Sequence, residues 1–288
     1  MKYVKELSNS NKIVSEITCE AISEQKNAAY TIKFVFAGRE ECEIHKRKLS
    51  IYPDSFAVLN AGTTYSSKID SLTPVNTFSI SFEKKFLQDF QLSLTGSAEQ
   101  LLEIETPGEA PNFIESLYPF KGDMRYNILH LKNQLDRGLN DEMLINEYLH
   151  HCLLNYYSIY NKEVLQKMER LSFIKTKTKQ EILKRLTLAK EYINSNYNQN
   201  ILLENIADHA YLSVNHLLRT FKEAYQISPY QYLVQLRLAR AKHLLQSTPY
   251  CLNEIVGLVG FECPSSFIRL FKSTFNVTPA KYKRMKMA

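Results

Sequence analysis

The 288-residue chain states one short passage twice. "AYLSVNHLLRTFKEAYQISPYQYL" begins at Ala210, and "GFECPSSFIRLFKSTFNVTPAKYK" runs from Gly260 to Lys283. Leu203, Ile206, Ala207 and Ala210 recur 49 positions later as Leu252, Ile255, Val256 and Val259. Past a one-residue insertion, Arg219, Phe221, Lys222, Pro229 and Tyr232 recur 50 positions later as Arg269, Phe271, Lys272, Pro279 and Tyr282. The insertion falls between helical segments and leaves the register inside each one intact. Such a duplication restricts the C-terminal part of the chain to two copies of a helix-turn-helix unit.

Each copy also specifies which side of its second helix is buried. Leu217, Thr220, Phe221 and Ala224 form an i, i+3, i+4, i+7 stripe, matched by Phe267, Leu270, Phe271 and Thr274, and this stripe is expected to pack inward. The opposite stripes are Asn215, Leu218, Arg219 and Lys222, then Ser265, Ile268, Arg269 and Lys272. Such a face suits a major groove. Arginine pairs bidentately with guanine, asparagine with adenine, and Leu218 or Ile268 can touch a thymine methyl. The lysines, a turn further on, suit phosphates, which position a protein without reading sequence. Ser213 reads as an N-cap, and Cys263-Pro264, Ser228-Pro229 and Thr278-Pro279 place proline at a first helical position. Ser228 to Ser247 then forms one helix of about 30 Å, close to the ~34 Å of one DNA turn.

Charge follows the same division. Ser172 to Ala288 holds 17 Lys/Arg against 7 Asp/Glu, whereas Met1 to Leu171 holds 19 against 23. A basic block joined to a mildly acidic one points to a polyanion at one end only. No stretch reaches the ~20 apolar residues of a membrane span, and "MKYVKELSNSNK" has no signal-peptide run. The five cysteines are scattered without a CxxC pair, which fits a cytoplasmic protein with neither a disulfide framework nor a zinc knuckle.

The segments "IADHAYLSVNHLLRTFKEAYQISPYQYL" and "EIVGLVGFECPSSFIRLFKSTFNVTPAKYKR" resemble the double helix-turn-helix domain of the AraC (AraC/XylS-type) family of bacterial transcription regulators. The second segment holds the family's Gly-Phe, Phe-Lys and Thr-Pro-x-x-Tyr-Lys elements at their spacing. Val256 departs from the usual alanine, and Tyr211-Leu212 replaces Gly-Phe in the first copy. The resemblance implies DNA contacts from Asn215, His216, Leu218, Arg219 and Lys222, and from Ser265, Ser266, Ile268, Arg269 and Lys272. It also implies double-stranded DNA and RNA polymerase as partners, and activation as the direction of control.

The expected class is α+β, with an N-terminal antiparallel β-barrel followed by helices at residues 1–171, a linker at 172–180 and an all-α DNA-binding domain at 181–288. From Met1 to about Phe90 the chain reads as mostly β: "AAYTIKFVFAG" stops at Gly38, two short runs flank Pro53-Asp54, and "VNTFSISF" alternates. These are the marks of short antiparallel strands. From about Pro111 the periodicity turns helical, with Tyr126, Leu129 and the next-turn apolar residues on one expected face and Gly138 as a stop. "KLSIYPDSFAVLNAGTTYS" is similar to a cupin-like sensor module. Such a module places a small-molecule effector inside the barrel, with Tyr30, Phe34, Phe36, Arg39 and Tyr65 as the candidate lining. His45 has no partner at ligand spacing, so no metal and no other cofactor is expected. Asp141–Leu171 is rich in apolar residues and tyrosine, as a homodimer surface or a helix packed on its own domain would be. An alternative to a regulator is a DNA-repair enzyme with a methyl-accepting cysteine, which would need a zinc-spaced cysteine cluster. A regulator whose β domain only dimerises is equally compatible with these residues.

Overall fold

The computed structural model describes residues 2–44, 47–95 and 113–287. It forms two compact units, Met1–Gln166 and Lys167–Ala288. Among the described residues, no helix is long and apolar enough to cross a membrane.

The first unit is built on an antiparallel sheet. Its strands are β1 (Lys2–Glu6), β2 (Lys12–Asn27), β3 (Tyr30–Ala37), β4 (Glu40–Ile44), β5 (Arg47–Ile51), β6 (Ser55–Leu59), β7 (Thr64–Phe82) and β8 (Leu117–Pro119). The order β1-β2-β7-β3-β6-β8 describes the main path, with β4 joining β5 to the far half of β7. Register shifts lie between Thr18 and Glu20 and between Val35 and Ala37, and such irregularities sharpen a strand's twist. Gly38, with φ 78°, makes the turn after β3, where a Cβ would lie 2.7 Å from Val75 Cγ2. Successive strand residues point to opposite faces. One face therefore buries Val35, Cys42, Leu49, Ile51, Ala57 and Val75, and the other presents Phe34, Phe56 and Phe78, whose neighbours include Phe120 and Tyr156.

Helices α1 (Lys84–Thr95), α2 (Gly122–Asp136) and α3 (Glu142–Tyr160) complete this unit. Residues 84–90, expected within the β region, belong to α1. On α2 the buried stripe is Met124, Ile128, Leu131 and Leu135, whereas Tyr126 and Leu129 are exposed. Gly138, with φ 91°, follows its end. On α3, Asp141 accepts hydrogen bonds from the Met143 and Leu144 amides, and Ile145, Leu149, Leu153 and Tyr156 are buried. Tyr156 meets Phe113 at 4.9 Å and Tyr118 at 5.3 Å between ring centroids. Of the apolar residues that suggested a dimer seam in Asp141–Leu171, Ile145, Leu149, Leu153 and Tyr156 are thus used inside the unit, whereas Met143 is 84% and Leu165 45% exposed. A π-helical turn (Asn161–Leu165) leads into the short α4 (Gln166–Arg170).

The second unit begins before Ser172, because Lys167 already lies 4.6 Å above the Tyr225 ring. Its helices are α5 (Thr176–Asn196), α6 (Leu203–His209), α7 (Val214–Tyr225), α8 (Pro229–Ser247), α9 (Leu252–Leu258), α10 (Pro264–Phe275) and α11 (Pro279–Met287). Residues 176–180, expected in the linker, form the first turns of α5, since no glycine or proline there resists a helix.

Candidate nucleic-acid interface

The two copies are built by the same local devices. Helices α6 and α9 each start with a side chain reaching back, Asn205 Oδ1 to the Leu202 amide at 3.2 Å and Glu254 Oε2 to the Cys251 amide at 2.6 Å. The turns that follow close through Leu212 N to Ala207 O at 2.9 Å and Phe261 N to Val256 O at 3.0 Å. Ser213 caps α7 by accepting from the His216 amide, and Pro264 opens α10. Both helices end on left-handed residues, Gln226 (φ 62°) and Asn276 (φ 58°), whose amides donate to the Lys222 and Lys272 carbonyls. Between them α8 has 19 residues, about 28 Å. It begins with a reciprocal Ser228–Gln231 capping box.

In α7 the inward stripe is buried as expected at Leu217, Thr220, Phe221 and Ala224. In α10, Phe267 and Phe271 are buried, Leu270 is half-buried and Thr274 is exposed. Thr274 matches Ala224, whose carbonyl accepts from Arg170 Nη1 at 3.5 Å. The segment before α5 thus lies along the end of α7. On the opposite stripes, Asn215, Arg219, Lys222, Ser265, Arg269 and Lys272 are exposed, while His216, Leu218, Ser266 and Ile268 are half-buried. Ile268 also packs against the core of the second copy, so only part of its surface faces outward.

The copies differ around their arginines. Arg219 Nε lies 4.0 Å from Glu223 Oε1, and its guanidinium sits 6.0 Å from the Phe173 ring centroid. Position 273 holds serine where Glu223 stands, and its hydroxyl donates to the Leu270 carbonyl. Among the described residues Arg269 has neither an ion pair nor a ring partner. Sequence reading missed Phe173 and Glu223. An acid on an otherwise basic face, with no counterpart in the other copy, was the signal available.

Beside α10 an open cleft of about 510 Å3 is lined by Asn198, Arg237, Gly260, Cys263 and Ser266 among others. Arg237 donates to the Tyr197 and Gln199 carbonyls, each at 2.7 Å, and so anchors the loop that passes Gly260. The Cys263 thiol is lowered to about 7, first by its hydrogen bond with the Ser265 hydroxyl and then by the Ser266 amide.

The candidate effector residues of the first unit do not converge. Tyr30, Phe34 and Phe36 lie on one face of β3, against Phe113, Phe56, Phe78 and Phe120. Tyr65 packs against the opposite cluster, where Lys33 lies 5.2 Å above its ring. Arg39 is exposed and ion-paired to Glu41. Strand alternation turns Phe34 away from its neighbour Lys33, which separates the set. His45 lies outside the described residues. Among those described, no cluster of three His, Cys, Asp or Glu side chains could hold a metal.

Residues 206–285 match a family model described as a helix-turn-helix domain. An uncharacterized HTH-type transcriptional regulator of Escherichia coli, YdiP, is 32% identical over 111 residues, covering 38% of this chain and 37% of the relative. The bifunctional transcriptional activator/DNA repair enzyme AdaA of Bacillus subtilis is 36% identical over 98 residues, covering 34% and 46%. The chain therefore spans less than half the length of these curated relatives. Among solved structures, the C-terminal domain of AraT, a response regulator from Geobacillus stearothermophilus, is 30% identical. That match covers 36% of this chain and 87% of the other, with a TM-score of 0.35.

Proposed function

We propose that this chain, whose residues 206–285 match a helix-turn-helix domain, is a sequence-specific DNA-binding regulator of transcription of the AraC type, acting as an activator in the cytoplasm. The observation that carries the reading is the equivalence of α7 and α10. Each presents an exposed arginine and, three residues on, an exposed lysine, on helices that both end at a left-handed residue and are joined by α8.

In this reading the two helices enter successive major grooves on one side of the duplex. Arg269 and Arg219 read bases, with Asn215, His216 and Leu218 in the first copy and Ser265, Ser266 and part of Ile268 in the second. Lys222 and Lys272 hold phosphates. Because the outward residues differ, the two half-elements differ in sequence. The first unit serves control by a small molecule or partner, homodimerisation, or both, and bound regulator acts on RNA polymerase. A zinc assay returning stoichiometric metal would favour the repair-enzyme alternative.

The test is selection of bound duplexes from a random pool by the full chain at physiological salt. Two unlike elements about one helical turn apart are expected. Recovery of no sequence preference would overturn the reading.

A further inference from the structure

Residues Lys167–Phe173 lie along the first recognition helix, α7, from its C-terminal end toward its reading face. Lys167 Nζ sits 4.6 Å above the Tyr225 ring, and Arg170 reaches the Ala224 carbonyl. The Ser172 amide donates to Glu223 Oε2 at 3.2 Å, and the Ser172 hydroxyl donates to both carboxylate oxygens, at 3.3 and 3.2 Å. The Phe173 ring then meets the His216 ring edge-on at 6.0 Å and lies 6.0 Å from the Arg219 guanidinium. His216 Nε2 is buried there without a hydrogen-bond partner among the described residues.

We infer that Ser172–Phe173 is an autoinhibitory strap that engages His216 and Arg219, two of the base-reading groups of α7, and must leave before this helix can seat in a groove. The inference rests on the DNA-reading proposal above.

Several observations separate the strap from ordinary packing. It engages the exposed Arg219 of the outward stripe as well as the half-buried His216. Its anchor, Glu223, is replaced by Ser273 in the second copy. Phe173 is only half-buried, and Ile174 beside it is 99% exposed, so release opens no hydrophobic core. Contacts of this kind, one carboxylate clasp and two ring contacts, are individually modest, which suits a switch. A strap occupied in most molecules lowers apparent affinity in proportion to the fraction of open α7. The strap continues directly from Gln166, the last residue of the first unit, so an event there has a covalent route to α7.

The experiment compares the full chain with Phe173→Ala and Phe173→Tyr by titration onto three duplexes: the selected two-element site, the site with the first element scrambled, and the site with the second scrambled. Phe173→Ala is expected to tighten binding about three- to tenfold wherever the first element is intact, and to leave the duplex with only the second element unchanged. Phe173→Tyr, which keeps the ring, should behave as wild type. Glu223→Gln removes the clasp by a second route and should reproduce the effect on the first element at matched salt. Wild-type binding with no change in Phe173→Ala, or with weaker binding, overturns the strap alone. Sequence-indifferent binding by all proteins overturns the DNA-reading proposal, and the strap with it.

Discussion

Tyr211 and Gly260 stand at the same point of the two helix-turn-helix copies, and both take a left-handed backbone, φ 55° and 83°. A side chain there costs roughly 1–2 kcal/mol in backbone strain. The first copy tolerates it because Tyr211 is 74% exposed and its carbonyl accepts from Arg185 at 2.8 Å. The second copy cannot, because a Cβ on Gly260 would lie 2.9 Å from the Asn198 carbonyl carbon and oxygen.

Gly260→Ala should therefore destabilise the second unit by roughly 2–3 kcal/mol, combining left-handed strain with a backbone clash. Tyr211→Gly should lie between neutral and about 1 kcal/mol stabilising, since relief of strain is offset by a looser unfolded chain. Urea melts of the two variants decide it. A loss at Gly260→Ala no larger than the roughly 1–2 kcal/mol of left-handed strain would mean that the Asn198 loop moves aside.

Lys33 and Glu40 form an ion pair buried in the first unit, with Cys42 Sγ 3.7 Å from the ammonium. Burial disfavours the Lys33 ammonium, but its polar neighbours, with the Glu40 carboxylate as its ion-pair partner, outweigh burial and hold the ammonium charged. Lys33→Met strands the carboxylate and should cost about 3–5 kcal/mol. Lys33→Met/Glu40→Leu should recover most of that loss. A single variant as stable as wild type would show that water reaches Glu40.

Arg269→Ala should lower discrimination at particular bases of the second element by roughly 1–3 kcal/mol. Lys272→Ala should weaken all sequences alike and reduce the salt slope by about one. Competition titrations against single-base variants at several salt concentrations separate the two. A uniform loss from Arg269→Ala would reassign it to phosphate.

Cys263 should react with iodoacetamide in its thiolate form. Its folded value is lowered, so the reactive form is present above about pH 7 and lost below it. Cys42, pushed up to about 12 by burial, and Cys152, also raised by burial, should stay unmodified in the folded chain. Mass spectrometry after a short pulse across pH 6–9 checks this. Ser265→Ala should move the midpoint upward, and an unmoved midpoint would remove that hydroxyl as the main cause.

Much of the second unit was legible in the residues. The inward stripe of α7, the serine and proline starts and the length of α8 all follow from side-chain period and cap chemistry within a few residues. Less of the first unit was. The stripe on α2 falls on Met124, Ile128, Leu131 and Leu135 rather than Tyr126 and Leu129, because tyrosine and leucine can be either inside or outside. Strand β8 has three residues, too few for any period to mark.

By itself, then, the sequence determined the duplicated helix-turn-helix, its helix boundaries and its arginine–lysine faces, since these depend on neighbours three or four positions apart. Only the tertiary structure decided that Phe34 and Tyr65 lie on opposite faces of a sheet, that Leu153 serves its own unit, and that Phe173 lies against His216 and Arg219. Those outcomes depend on contacts between residues far apart along the chain, where shape and register select the partner and no local period records the choice.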